Sequence, residues 1–151
     1  MPELIDQYFL VDRRDAEFIR LFLDKYVPDR GPVTDYYLIV NEDGEEKIDV
    51  KNIDDVLSFY EHHVNCDYDI YLENLNRNCS ITHAIITYTD DAKAILGVSV
   101  IGTFADLTES LAIFNEIKVF VKSTVACMTL EEPPPNNSIE FIEFARDMRL
   151  Y

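Results

Sequence analysis

The stretch ITHAIITYTDDAKAILGVSVI, residues 81–101, sets the class of fold that this chain can adopt. It contains two runs of strand-forming residues, about 81–89 and 94–101, joined by the short polar segment 90–93. Two apolar runs separated by so short a polar segment predict a β-hairpin. The rest of the chain can be assigned outward from this hairpin.

Towards the N-terminus, the sequence predicts a strand over residues 4–11 and then a helix with Asp12 as its N-cap. Residues 33–40 predict another strand, which a turn at 41–44 joins to a short return strand containing Ile48 and Val50. Asn52 is the predicted N-cap of a second helix.

Residues 67–73 alternate between apolar and polar side chains, which is typical of a half-buried strand. Beyond the hairpin, the sequence predicts a third helix from Asp106, a strand near 125–130, an extended connector at 133–135 and a last helix after Asn137. This order predicts an α+β fold in which helices pack on one face of a mostly antiparallel sheet. The other face is then left for water or for a partner.

Length and composition predict one folded domain over residues 1–151. The net charge is −16, but 48% of the residues are hydrophobic, which is too many for an acidic disordered chain. Pro2, Glu3 and Asp6 interrupt any signal-peptide pattern, and the apolar runs are too short or too interrupted to span a bilayer. With three cysteines, an odd number, the chain suits a reducing compartment, so we expect a cytoplasmic protein.

The negative charge is concentrated in the middle of the chain. Residues 31–110 hold sixteen acidic and four basic residues, whereas each flanking part has a net charge of only −2. Three interpretations compete: a surface that aids solubility, adaptation to high salt, and a surface that meets a cationic partner. Salt adaptation would spread acidic residues evenly, so the nearly neutral ends argue against it.

Several classes of chemistry are disfavoured by the sequence. The four glycines do not form a phosphate-binding loop before a helix, and the segment from Gly97 through Ser99 to Gly102 is one residue too long for a nucleophile elbow. We therefore expect no cofactor. Residues 61–75 contain four acidic residues and no Lys or Arg, so direct binding of nucleic acid is not expected.

One set of residues predicts an alternative function. His63, Cys66, Cys79 and His83 have spacings that zinc-binding proteins use, although the order of ligand types differs from that of a Cys2His2 finger. A small metal-dependent enzyme or a zinc-stabilised domain using these four residues therefore stays open as an alternative. Asp67 with Asp69 as a cation site, and Glu61 with a neighbouring histidine as an acid/base pair, lack a third positioned group.

The predicted partner-binding surface is acidic and contains one aromatic side chain. Strand alternation places Asp67, Asp69, Tyr71 and Glu73 on one face, opposite Tyr68, Ile70 and Leu72. Other acidic residues are near in sequence and could join this surface: Glu45, Glu46, Glu61, Asp90 and Asp91. Such a surface accelerates association with a cationic protein, and a tyrosine can anchor the complex.

The segment TYTDDAKAILGVS at 87–99, the helix predicted after it and EEPPP at 131–135 resemble small acidic immunity proteins of bacterial polymorphic toxin systems. The resemblance covers roughly residues 83–141. It implies tight binding and neutralisation of a cognate toxin, and it carries over no individual site residue. The leading hypothesis is therefore a cytoplasmic, non-enzymatic protein that blocks a basic partner, with mimicry of nucleic acid as a closely related possibility.

Overall fold

A computed structural model of the chain describes residues 3–35, 37–40 and 47–148. Six strands form one antiparallel sheet in the order β2, β5, β6, β7, β1, β8. The bounds of these strands are β1 Glu3–Val11, β2 Arg30–Pro32, β5 Tyr68–Asn74, β6 Ile81–Tyr88, β7 Ala94–Gly102 and β8 Val125–Thr129. A separate two-stranded hairpin contains β3 (Tyr37–Val40) and β4 (Lys47–Val50).

Four helices accompany the sheet: α1 Ala16–Tyr26, α2 Ile53–His62, α3 Thr108–Phe120 and α4 Ser138–Met148. The predicted α+β class and antiparallel sheet are confirmed. The predicted hairpin is also present, but its first strand begins at Tyr37 and not at residue 33, and the predicted turn at 41–44 lies outside the described residues. No helix of the described part of the chain is long and apolar enough to cross a lipid bilayer.

The hairpin that the sequence predicts most clearly, β6 with β7, lies in the middle of the sheet. On one side of this hairpin, β5 pairs with β6. On the other side, β1 pairs with β7 over nine residues, from Glu3 to Val11. A bulge interrupts the β6–β7 register, because Ile81 faces Val100 whereas His83 faces Ser99. The extra residue turns His83 towards the opposite face of the sheet from Ile81.

The two faces of the sheet are covered differently. Helices α1, α2 and α3 contribute to a large apolar core on the first face, and Phe22, Tyr60 and Phe114 are among its fully buried side chains. Helix α4 packs on the second face, where Phe141 is buried in a smaller cluster. Its partners from the sheet are Tyr8, Leu10, Ile85, Ile95 and Cys127. Helix α4 therefore covers part of the second face, which the sequence predicted to be free of helices. The rest of that face is open.

The helix caps illustrate where local sequence was sufficient. Asn52 accepts a hydrogen bond from the Asp54 amide, and Asn137 accepts from the amides of the first turn of α4, as predicted. The predicted cap of α1 is wrong by three residues. Asp15, not Asp12, caps α1 by accepting a hydrogen bond from the Phe18 amide, because the chain stays extended beyond β1.

Arg14 joins four parts of the fold. Its side chain is buried, with 5% of its surface exposed, and its guanidinium donates five hydrogen bonds, all to backbone carbonyl oxygens. The acceptors lie at the end of α2, in the loop after it and in the β6–β7 turn: Tyr60, His63, Cys66, Thr89 and Lys93. Because an arginine has five N–H groups, every donor of this side chain is satisfied.

We expect Arg14→Ala to lower the free energy of unfolding by about 3–5 kcal/mol, because five backbone carbonyl groups, two of them in buried and three in part-buried hydrogen bonds, would lose their partner. The neighbouring Arg13→Ala is a matched control, since its guanidinium binds Asp15 on the surface with 55% of the side chain exposed. That change should cost much less, because an exposed ion pair contributes little to stability. Urea unfolding of both variants measures the difference, and equal losses would show that the Arg14 network does not stabilise the fold.

Candidate functional site

Strand β5 presents the predicted acidic residues on the second face of the sheet. Ile70 and Leu72 are buried in the core on the first face, whereas Asp69 and Tyr71 are exposed and Glu73 is half-buried. The two sets alternate because successive side chains of a strand point to opposite faces. The structure therefore places Asp69, Tyr71 and Glu73 together, as the sequence predicted.

Asp67 lies just before β5 and close to Asp69. The Asp67 carboxylate accepts a hydrogen bond of 2.5 Å from the Asn136 side-chain amide. Partial burial raises the pKa of Asp69; a hydrogen bond with Thr87 opposes that shift, and the charge of Asp67 adds to it. A cationic group placed here would relieve the repulsion between the two carboxylates.

Glu73 contributes less charge than the sequence suggests. Its carboxylate forms an ion pair with Arg77, four residues further along the chain, and 33% of the Glu73 side chain is exposed. The pair is on the surface, so a partner can break it at little cost. The acidic character of this surface therefore depends mainly on Asp67 and Asp69.

Tyr71 separates two clefts and lines both. The first, the edge cleft, has a volume of about 410 Å³ and lies between β5 and residues 33–35 and 37–38, with Asp35 and Asp69 among its lining residues. The second, the sheet-face cleft, has a volume of about 290 Å³ and lies on the second face of the sheet. With 43% of its surface exposed, Tyr71 is accessible to a partner from either side.

The sheet-face cleft is built by four adjacent strands and a connector. Strand register brings the lining residues together, because Asp6 of β1 faces Ser99 of β7, and Ser99 in turn faces His83 of β6. Its buried lining residues are Asp6, Tyr8, Ile85 and Ser99, and the more accessible ones are Leu4, Tyr71, His83, Glu131 and Pro133.

Asp6 is the chemically distinctive group of the sheet-face cleft. It is only 9% exposed, and its carboxylate accepts hydrogen bonds from the Ser99 hydroxyl at 2.6 Å and, more weakly, from the Tyr8 hydroxyl at 3.4 Å. Burial raises the pKa of Asp6, against the hydrogen bonds from Ser99 and Tyr8, and the charge of Glu131 raises it further. The fold thus keeps an acidic group where its ionised form is unfavourable.

Gly97 allows Tyr8 to lie close to the sheet beside Asp6. The two residues face each other on β7 and β1, and a Cβ at position 97 would come within 2.8 Å of the Tyr8 ring. Any larger residue would displace the ring or the strand. Glycine at this position therefore leaves room for the Tyr8 ring, which lines the sheet-face cleft.

The β6–β7 turn holds the N-terminus of α4, and this changes the interpretation of two predicted site residues. Asp91 accepts hydrogen bonds from the Ser138 amide and hydroxyl, and Asp90 accepts one of 2.9 Å from the Asn137 side chain. Burial alone would raise the pKa of Asp91, but the hydrogen bonds from Ser138 and Thr89 hold it below its ordinary value. Asp91 is therefore held by Ser138 within the chain, whereas Asp90 accepts one hydrogen bond and stays exposed, as Asp67 does.

The other predicted members of the surface are not added to it by the structure. Glu61 belongs to α2 in the helical layer, and its carboxylate accepts a hydrogen bond of 2.7 Å from the Ala16 amide at the start of α1. Glu45 and Glu46 lie outside the described residues. The described acidic surface therefore contains Asp67, Asp69, Tyr71 and Glu73, with Asp35 and Glu131 on its borders.

The alternative zinc set is not assembled. His63 and Cys66 lie before β5, where the His63 ring stacks on Phe59, whereas Cys79 and His83 lie beyond its other end. The seven residues of β5 separate the two pairs by about 20 Å, far more than a tetrahedral zinc site allows. Among the described residues, no three His, Cys, Asp or Glu side chains form a group that could hold a metal ion, and the three cysteines are free thiols.

Sequence reasoning missed Asp6, Tyr8 and Glu131 as site residues. A signal for two of them was present, since Asp6 interrupts an otherwise apolar strand and alternation puts Tyr8 on the same face. The sequence suggested Ser99 only as a nucleophile and His83 only as a metal ligand. The Ser99 hydroxyl donates to the Asp6 carboxylate and not to an imidazole, which differs from the hydrogen-bond order of a Ser-His-Asp triad.

No protein-family model, curated protein or solved structure shows a significant match to this chain. The surface around Tyr71 and the sheet-face cleft are therefore the features from which a function can be inferred.

We expect Asp6→Asn to raise the free energy of unfolding at pH 7. Because the pKa of Asp6 is raised in the folded protein, this group stabilises the fold most when it is protonated. Its contribution is therefore fully present at a pH below the ordinary pKa of an aspartate. That contribution is lost as the pH rises through the raised value, and the asparagine avoids the loss.

Urea unfolding at pH 7 and at about pH 4 measures this effect, and the advantage of Asp6→Asn should shrink at the lower pH. Asp12→Asn is the control, since it makes the same charge change at a side chain that is 90% exposed. A variant Asp6→Asn that is less stable than the wild type at pH 7 would contradict the expectation.

Proposed function

We propose that this protein is a non-enzymatic binding protein that neutralises a basic protein partner, a bacterial toxin, in the cytoplasm. The observation that carries the proposal is the position of Tyr71. This half-exposed aromatic side chain lies between two clefts, and the carboxylates around it come from four separate segments of the chain: Asp6, Asp35, Asp69 and Glu131.

The physical basis is the combination of charge and an anchor. Carboxylates of like sign around a concave surface attract a cationic partner over a distance and raise its association rate. An exposed tyrosine supplies a large contact area at a low cost in side-chain entropy, and it can fix the partner once the encounter has occurred. Neither property requires a catalytic group.

The partner class follows from the charge. A protein rich in lysine and arginine fits the acidic surface, and nucleases and other nucleic-acid-binding proteins have such surfaces because they bind phosphates. The sequence resemblance to immunity proteins of bacterial toxin systems supports a toxin domain of this kind. By the same argument, the acidic surface would act as a mimic of nucleic acid and compete for the partner's phosphate-binding site.

The test uses the protein encoded by the gene next to this one, where that protein carries a basic C-terminal domain. Co-expression should rescue growth, and the two purified proteins should form a complex whose association rate constant falls as salt is added. Unchanged toxicity on co-expression with the neighbouring protein, together with no complex, would contradict this choice of partner.

We expect the triple variant Asp67→Lys, Asp69→Lys and Glu73→Lys to reduce the association rate constant by at least about tenfold at low salt. The matched control reverses three exposed acidic residues of the helical layer, Glu17→Lys, Asp55→Lys and Glu116→Lys, and changes the net charge equally. Stopped-flow measurements distinguish the two variants. If both variants lower the association rate constant equally, only net charge matters. If the first variant leaves the association rate constant unchanged, this surface is not the interface.

A further inference from the structure

We propose that the sheet-face cleft receives one arginine side chain of the partner, with its guanidinium group at Asp6 and its aliphatic part against Tyr71. This inference rests on the proposed function and deepens it, because it names the group that the surface recognises. Three properties of the cleft support it: its size, its charge and the chemistry of its lining residues.

The size of the cleft suits a single side chain. Its volume of about 290 Å³ is at the lower end of the range for small-molecule sites, which is about 300–1,000 Å³. It opens beside Tyr71, Glu131 and Pro133, all of which are exposed at the surface. A long, flexible side chain can therefore enter from the surface that the partner is proposed to cover.

The charge inside the cleft is negative and lacks a full counter-charge. Asp6 is nearly buried, Glu131 lies at the opening, and no Lys or Arg is among the described residues that line the cleft. His83 is the one lining residue that can become cationic, and its Nδ1 lies 3.0 Å from the Thr82 hydroxyl. A buried carboxylate without a strong counter-charge is costly, and a bound cation would remove that cost.

The lining residues favour arginine over lysine. A guanidinium is planar and stacks on aromatic rings, and the rings of Tyr8 and Tyr71 both line the cleft. It also has five donors, which can reach several acceptors at once, whereas an ammonium is a compact and strongly hydrated charge. The acceptors available here are the Asp6 carboxylate, the Ser99 hydroxyl and, at the opening, the Glu131 carboxylate.

The cleft and the acidic surface would act at different stages of binding. Asp67, Asp69 and Asp35 are exposed and set the rate of encounter, whereas Asp6 is buried and would contribute after docking. A single buried arginine surrounded by weaker contacts is a common form of interface hot spot. Removal of Asp6 should therefore raise the dissociation rate and leave the association rate nearly unchanged.

The test is a titration of the protein with N-acetyl-arginine amide, followed by amide chemical shifts. We expect shifts at Tyr8, Tyr71 and Ser99 and a dissociation constant of roughly millimolar order, because the probe is small. The neutral isostere N-acetyl-citrulline amide should bind at least about tenfold more weakly, since it keeps the shape and loses the charge. N-acetyl-lysine amide should also bind more weakly.

Two variants locate the site. Asp6→Asn should weaken binding of the arginine probe by at least about tenfold, and Tyr71→Ala, a change at an exposed position, by about threefold or more. Asp12→Asn makes the same charge change as Asp6→Asn at a residue outside the cleft and should alter binding less than about twofold. The Tyr71 variant keeps the test decisive if Asp6→Asn perturbs the fold.

Several results would overturn the inference. They are equal binding of the citrulline or lysine probe, shifts confined to residues outside the cleft, and full binding by both the Asp6 and the Tyr71 variants. Its failure is distinguishable from that of the proposed function. If Asp6→Asn binds the neighbouring toxin domain with an unchanged dissociation rate while the Asp67, Asp69 and Glu73 triple variant does not bind it, the acidic surface stands and the arginine site does not.

Discussion

The guanidinium of Arg14 is bound by five backbone carbonyl oxygens, and much of the architecture depends on this group. Two of the acceptors lie at the end of α2 and just after it, where the helix dipole favours a positive charge. Two others, Thr89 and Lys93, flank the β6–β7 turn. That turn carries Asp90 and Asp91, which hold the start of α4. The connector before α4 in turn supplies Glu131 and Pro133 to the sheet-face cleft. A buried cation on one side of the sheet therefore helps to position a binding surface on the other.

The second face of the sheet is divided between stability and recognition. Its apolar part lies under α4, where Cys127 is buried and burial raises the pKa of its thiol to about 12, so this cysteine is unreactive. The remaining part holds Asp6, Ser99 and His83 in the cleft. Burying a carboxyl group here works against folding, and such costs are common where a surface is shaped for binding. One antiparallel sheet thus serves as a core layer on its first face and as a binding platform on part of its second.

The sequence predicted the elements and the β5 surface, because both follow from local patterns. Alternation along residues 67–73 is enough to place Asp69 and Tyr71 together. Predictions that depended on distant parts of the chain were less successful. Asp90 and Asp91 are acidic and near a turn, yet both accept hydrogen bonds from the start of α4. Asp91 accepts from the amide of Ser138, 47 residues away, and Asp90 accepts from the side chain of the cap residue Asn137. The four possible zinc ligands have a suitable spacing in sequence, but β5 runs between them and keeps them apart. Ligands with a suitable spacing in sequence cannot meet when an extended strand lies between them.

The sequence by itself determined the α+β class, the antiparallel hairpin, the caps at Asn52 and Asn137 and the concentration of acidic residues in 31–110. Each of these depends on periodicity, on turn chemistry or on counting, which are local properties. Only the tertiary structure decided which carboxylates are exposed and which are committed within the chain. It also brought Asp6 beside Ser99, 93 residues away, and placed Glu131 at the opening of the same cleft. Strand register and the docking of α4 produce these contacts, and both are set by packing between segments far apart in sequence.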